Sequence, residues 1–239
     1  MRQIKLLCAS IAFVICTLPS FAQLVDDYGF KKNIDKLGFS SMPDFVKWST
    51  PEENTQFYRC PAGSFNIFCD FQRSHNVASV YSDSYFFSKY RVPKTNDLLI
   101  GVSHLDGEYW SRELLLVNKS DYSIRNSLYV AHESSAGASM QHTVKQGGRG
   151  LIVTVYTFIP KTSSSVDIED FRFTPNATIR GKIRKEEYEV VSDFKLISTE
   201  LSPDVVIKSS DLASNVQLWE LYDQAVSNGS NPTPPREEH

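Results

Sequence analysis

The chain has 239 residues, 41% of them hydrophobic, 12% aromatic and 22% charged, with a formal net charge of −3. That balance is too mild to imply nucleic acid or an anionic membrane surface as the partner. The length suits one large β domain or two small ones.

The first residues are built as an export signal. Arg2 and Lys5 make a positive start, Leu6 to Leu18 run almost wholly apolar, and Ser20-Phe21-Ala22 places small residues where a signal peptidase reads. Residues 1–22 are therefore expected to be cleaved, giving a periplasmic or secreted (extracytoplasmic) protein. The apolar run is about 13 residues, short of the roughly 20 that a membrane span needs, so no membrane span is expected. Leu7 before Cys8 and Ile15 before Cys16 do not fit a lipidated cysteine, which wants a small residue in front of it. Loss of Arg2 and Lys5 takes the net charge from −3 to −5.

Residues 23–229 are read as a single β-rich domain that opens with a helical segment. Asp26 or Asp27 can cap a helix ending at Leu37, with Gly38 as its stop, and Thr50-Pro51-Glu52-Glu53 is a capping box with proline at the first helical position. Two cysteines remain after export, Cys60 and Cys69, framing CPAGSFNIFC. In an oxidising compartment they predict one disulfide across a short looped clip, contributing about 2.7 kcal/mol by loop-closure entropy. Two thiols at this spacing are a poor zinc pair.

From Phe65 onward, short runs rich in Val, Ile, Tyr, Phe and Thr alternate with turn residues, which predicts strands. They fall at 65–71, 77–87, 97–105, 108–118, 124–132, 140–146, 150–159, 166–174, 178–184, 187–197 and 203–208. Spacing near ten residues per strand indicates a mainly β, antiparallel sandwich or barrel-like fold.

Within this series, Asp106-Gly107 has the chemistry of a two-residue hairpin turn. Taken as the turn, it pairs His104 with Tyr109 and Val102 with Ser111. His104 then shares a face with Ile100 and Val102, and Trp110 shares the other with Leu105, Leu114 and Leu116. KQGGRG, residues 145–150, reads as a second hairpin turn, not a phosphate cradle, because a strand follows it where a phosphate site needs a helix. LIVTVYTFIP, residues 151–160, is apolar on both parities and is expected to be a central strand covered on both sides. In SVDIEDFRF the apolar phase slips near Glu169-Asp170, the mark of a bulge or strand end. IRGKIRK puts Arg180, Lys182 and Arg184 on one face opposite Ile179 and Ile183. That face is read as solvated and balanced by Glu186, Glu187 and Glu189, with an anion-binding ladder as the competing use.

The chain closes with one amphipathic helix, capped by Ser210 or Asp211, stopped by Gly229, and carrying Leu212, Val216, Trp219, Tyr222 and Val226 as its apolar stripe. Residues 230–239 have nothing apolar to bury and are expected to be a disordered tail.

No motif of diagnostic specificity for catalysis or for a cofactor occurs. There is no G-x-S-x-G elbow, and His132 and His142 match no compact metal-ligand pattern. The polar cluster AHESSAGASMQH supplies His132, Glu133 and His142, and with His104 and Tyr109 these are the candidate ligand-binding residues. Two functions follow from different classes. The preferred one is an exported non-catalytic β-rich binding protein whose ligand is a protein or a glycan, contacted through the polar loops near 106–107 and 132–142. The alternative is an exported hydrolase with a histidine-centred, possibly metal-dependent site assembled from His104, His132 and His142.

Overall fold

The computed structural model describes residues 30–46, 58–59, 83–106, 109–134, 137–161, 177–208 and 217–229. The signal at 1–22, the caps at Asp26 or Asp27, the capping box at 50–53, Cys60 and Cys69, the strands expected at 65–71 and 166–174, the bulge near Glu169, Ser210, Asp211, Leu212 and Val216 of the C-terminal helix, and the 230–239 tail lie outside the described residues.

The protein is mainly antiparallel β. Helix α1 (Phe30–Lys36) and strands β1 (Asp44–Val46), β2 (Tyr58–Arg59), β3 (Asp83–Arg91) and β4 (Asp97–Asp106) come first. They are followed by β5 (Tyr109–Asn118), β6 (Ile124–Ser134), β7 (Gly137–Gln146), β8 (Leu151–Pro160), β9 (Thr178–Val190), β10 (Phe194–Leu201), β11 (Val205–Lys208) and helix α2 (Leu218–Gly229). The strands form one sheet in the order β10-β9-β8-β7-β6-β5-β4-β3-β2, with β1 on β7 and β11 on β9.

The sheet folds where β6 and β7 part. They pair only near their shared turn, from His132↔Met140 to Ser134↔Gly137. Beyond that point β7 pairs with β1, Asp44↔Val144 to Val46↔His142. The result is sandwich-like: one leaf holds β2 to β6, the other β1 and β7 to β11. Their facing sides share a core that draws Phe87, Tyr90, Leu99, Leu114, Leu116 and Val130 from the first leaf and Val144, Leu151, Val153, Val155 and Val190 from the second. The Tyr90 hydroxyl donates to Asp44 Oδ2 at 2.5 Å, and the Asn126 amide donates to Asp193 Oδ1, so hydrogen bonds tie the leaves as well.

Each leaf is also closed on its outer side by a helix. Phe30, Ile34 and Leu37 bury against Phe86, Leu98, Ile100, Val102, Leu115 and Val117. The buried Lys89 ammonium donates to the Ile34 carbonyl at 2.8 Å, meeting the negative end of α1 with a cation. On the second leaf, Leu218, Trp219 and Tyr222 pack on Tyr156, Ile183, Val205 and Ile207. The α2 stripe is thus centred on Leu218, Trp219 and Tyr222. Val226, expected in that stripe, is exposed, because the sheet beneath α2 is covered by its first two turns.

Two further expectations are corrected by the ladders. The β4–β5 pairs are Asp106↔Tyr109, Leu105↔Trp110 and His104↔Ser111, two places removed from a turn centred on Asp106-Gly107. The side-chain parity survives this shift, since a displacement of two keeps every residue on its face. The strands expected at 178–184 and 187–197 are one strand, β9, and a separate β10. β9 stays continuous through Lys185-Glu186-Glu187 because β8 pairs with it along its length, Leu151↔Val190 to Pro160↔Gly181. The chain reverses at 191–193, where Val191 N–H donates to the Asp193 carbonyl at 3.3 Å.

The central position of β8 is as expected, between β7 and β9, and the KQGGRG segment is the β7–β8 hairpin, closed by Gly147 N–H to the Gly150 carbonyl at 2.9 Å. No helix among the described residues is long and apolar enough to cross a membrane.

Candidate functional site

The residues singled out in the sequence separate into two groups once the strands are paired. Trp110 pairs with Glu133, and Ser111 pairs with both His104 and His132. Tyr109, His132 and Glu133 therefore lie at one end of the first leaf, and the β4–β5 and β6–β7 connections emerge there side by side. This end is where the sheet brings the polar segments 106–109 and 132–137 together.

His104 and His142 do not join them, and they do not meet each other. His104 lies on the outer face of β4, on the side of Val102 and α1, where its Nδ1 is 2.9 Å from Ser84 Oγ on the neighbouring strand. His142 lies on the inner face of β7, paired with Val155, with its ring 6.2 Å from Phe87 in an edge-on contact. The first leaf stands between the two rings. Both are fully enclosed. Burial lowers the pKa of each to about 3, and at His142 the Arg112 charge adds to that lowering. Both imidazoles are therefore neutral at ordinary pH, far below the range in which a histidine exchanges protons usefully in catalysis.

The inner face also holds polar groups that were not singled out. Arg112 is 1% exposed and its guanidinium lies 4.8 Å over the Phe87 ring. Phe87 is thus shared between a cation on one side and the neutral His142 ring on another. Neither nitrogen of His142 has a hydrogen-bond partner among the described residues. A signal for Arg112 was present in the sequence: it has the same strand parity as Trp110, Leu114 and Leu116, so an inward cation was implied by the same alternation that placed the leucines. Gln141, on the outer face of β7, accepts from Leu218 N–H at 2.7 Å and so caps α2 across the fold.

Among the described residues no three His, Cys, Asp or Glu side chains gather as a metal-binding group. Comparison with protein-family models, curated proteins and solved structures gives no match. The functional reading therefore rests on the geometry of this chain.

Proposed function

We propose that this chain is an exported, non-catalytic binding protein whose ligand is a protein or a glycan. The observation that carries the reading is the pairing of Trp110 with Glu133, which sets two polar hairpin ends next to each other on a continuous antiparallel sheet. Polar, glycine- and serine-containing connections held by a rigid scaffold are where β proteins commonly place recognition. The separation of His104 from His142 on opposite faces of a leaf supports binding over histidine-centred hydrolysis, since those two rings cannot act on one bond. The contact residues of the proposal are Tyr109, His132 and Glu133, at the hairpin end. His104 and His142 serve the fold.

The test is a comparison of wild type with Tyr109→Ala/His132→Ala on a glycan array and in pull-downs from envelope extract. Specific capture that the double variant loses supports the reading. Turnover of a hydrolysable substrate that disappears when His104, His132 or His142 is replaced would overturn it.

A further inference from the structure

The second leaf ends in an open edge. β10 is the last strand of the sheet, and among the described residues no strand lies on its far side. Such edges are commonly kept polar, because their free N–H and C=O groups pair with any other strand offered to them. β10 is not polar: Leu196 is 49%, Ile197 48% and Leu201 56% exposed. Its sequence, FKLISTEL, places one lysine and one glutamate at mirrored positions, Lys195 second from the start and Glu200 second from the end.

β10 also carries a bulge. Leu196 pairs with Tyr188 and Thr199 with Glu186, so three steps along β10 cover the length of two on β9. The extra residue changes which positions share a face. Phe194, Leu196, Thr199 and Leu201 pair with Val190, Tyr188, Glu186 and Arg184 on the inner side, whereas Lys195 and Glu200 pair with Glu189 and Lys185 on the outer side. Lys195 and Glu200 are an odd number of residues apart, which in an unbulged strand would set them on opposite faces. The bulge brings them to the same one. Glu200 is held there by the Tyr222 hydroxyl at 2.7 Å and by Lys185 Nζ at 3.8 Å, and it is exposed. Lys195 is exposed too, and makes no ion pair among the described residues.

We propose that two copies of this chain pair through β10, antiparallel about a two-fold axis that passes between Ile197 and Ser198. In that register Phe194 faces Leu201, Lys195 faces Glu200, Leu196 faces Thr199 and Ile197 faces Ser198, and each pair occurs twice. Apolar meets apolar at the strand ends, and cation meets carboxylate beside them. Both members of the first three pairs lie on one face of the sheet, as directly opposed residues of an antiparallel pair must. A bulge ordinarily disturbs edge pairing, but here the two bulges face each other. Residues 196–199 span the same length in both copies, so the ladder stays in step across them. The charge pattern selects a second copy in this register: a slip of two residues sets Lys195 against Ser198 or Ser202 and loses both ion pairs. The inference stands apart from the binding reading, since it holds whatever the hairpin ends contact.

Sedimentation velocity of the exported chain between about 1 and about 200 µM is expected to show a monomer–dimer equilibrium. Lys195→Glu and Glu200→Lys each set like charges together at two places, and each should weaken self-association about tenfold or more. Mixed together, the two variants should recover it, because each then supplies the charge the other lacks. Ile197→Lys, which sets two cations beside the axis, should give monomer. Thermal midpoints show which variants keep the wild-type fold. The register is read separately by Leu196→Cys/Thr199→Cys: directly opposed residues lie about 4.5–5.5 Å apart at Cα, within disulfide reach. Oxidation should link two copies of that variant, and Leu196→Cys alone should not be linked.

A monomer throughout that range overturns the proposal. So does a dimer that Lys195→Glu leaves unchanged or that does not link through positions 196 and 199, since the copies then meet elsewhere. A mixture of folded Lys195→Glu and Glu200→Lys chains that stays monomeric has the same force. A dimer that forms only after removal of residues 230–239 assigns the edge to the chain's own tail. Capture of an envelope protein that Ile197→Lys abolishes, without self-association, assigns it to a strand of a different partner.

Discussion

Gly101 on β4 lies directly beneath Phe87 on β3: a Cβ placed on Gly101 would stand 2.6 Å from the Phe87 ring and 2.2 Å from Ser88 Oγ. The cause is the irregularity in β3, where Phe86 pairs with Val102 and Ser88 with Gly101, so that Phe87 is an extra residue turned into the inter-leaf core. Phe87 in turn meets Arg112 and His142, so the bulge, the glycine and the buried polar pair form one packed unit.

Gly101→Ala is expected to destabilise the protein by about 1–3 kcal/mol, the usual cost of overpacking a closed core. In a chain of this size that lowers the thermal midpoint by roughly 2–10 °C. A midpoint equal to wild type would show that β3 and β4 are not packed this closely.

The cap on α2 gives a second expectation. Leu218 N–H is satisfied by Gln141 Oε1 from another strand, so Gln141→Leu should cost about 1 kcal/mol, the usual loss of a helix cap. Trp219→Ala, which removes a ring packed at 6.5 Å from Tyr156 and 5.6 Å from Phe45, should cost about 3–5 kcal/mol. Limited proteolysis separates the two: both variants should be cut faster near α2, and Trp219→Ala should also unfold at lower denaturant.

Export and redox state are checked by intact mass. The purified exported protein is expected to begin at Gln23 and to gain two alkylatable thiols only after reduction, from Cys60 and Cys69. Retention of residues 1–22 in the exported fraction, or free thiols without reductant, would remove the compartment and the disulfide from this account.

The strands of the central sheet were legible in the sequence because alternation and turn residues coincide there. The segments 97–105, 108–118, 124–132 and 150–159 match β4, β5, β6 and β8 closely. The exact pairing at Asp106 was not legible: a two-residue slip preserves every apolar face, so nothing in the local pattern distinguishes the alternatives. The continuity of β9 through Lys185-Glu186-Glu187 was hidden for a similar reason. Those residues have weak strand propensity, and it is pairing with β8 on one edge and β10 on the other that fixes them.

The candidate site was legible as a location and not as a set of side chains. Alternation placed His104 with Ile100 and Val102, but a buried histidine and a ligand-facing one have the same alternation. What distinguishes them is the covering layer, and α1 and the opposite leaf come from parts of the chain distant in sequence. The balance expected for Arg180, Lys182 and Arg184 holds in part: Glu186 shares their face and lies 3.5 Å from Arg184 Nε, whereas Glu187 and Glu189 have the opposite strand parity.

The buried histidines make the last prediction, a sharp dependence of stability on mild acid. His104 and His142 have folded-state pKa values lowered to about 3, against 6.5 for the free side chain. Between those values the unfolded chain binds a proton at each ring and the folded chain does not. Stability therefore rises with pH from about 3 to about 6.5, is fully present above 6.5, and is lost as pH falls. Each ring contributes at most about 1.4 kcal/mol per pH unit in that window. Ordinary carboxylates titrate mostly below pH 4.5, so the interval from 4.5 to 6.5 isolates the histidine contribution. His142→Leu removes one of the two rings, and it replaces a group whose nitrogens have no partner among the described residues with an apolar side chain of similar size. It should keep or raise stability at pH 7, since exchanging an unsatisfied buried polar group for an apolar one is neutral or favourable. It should also roughly halve the slope of unfolding free energy against pH between 4.5 and 6.5. Urea unfolding of wild type and variant at half-unit steps across that interval reads both quantities. Parallel slopes would mean that His142 is not the enclosed, neutral ring at the centre of the two leaves.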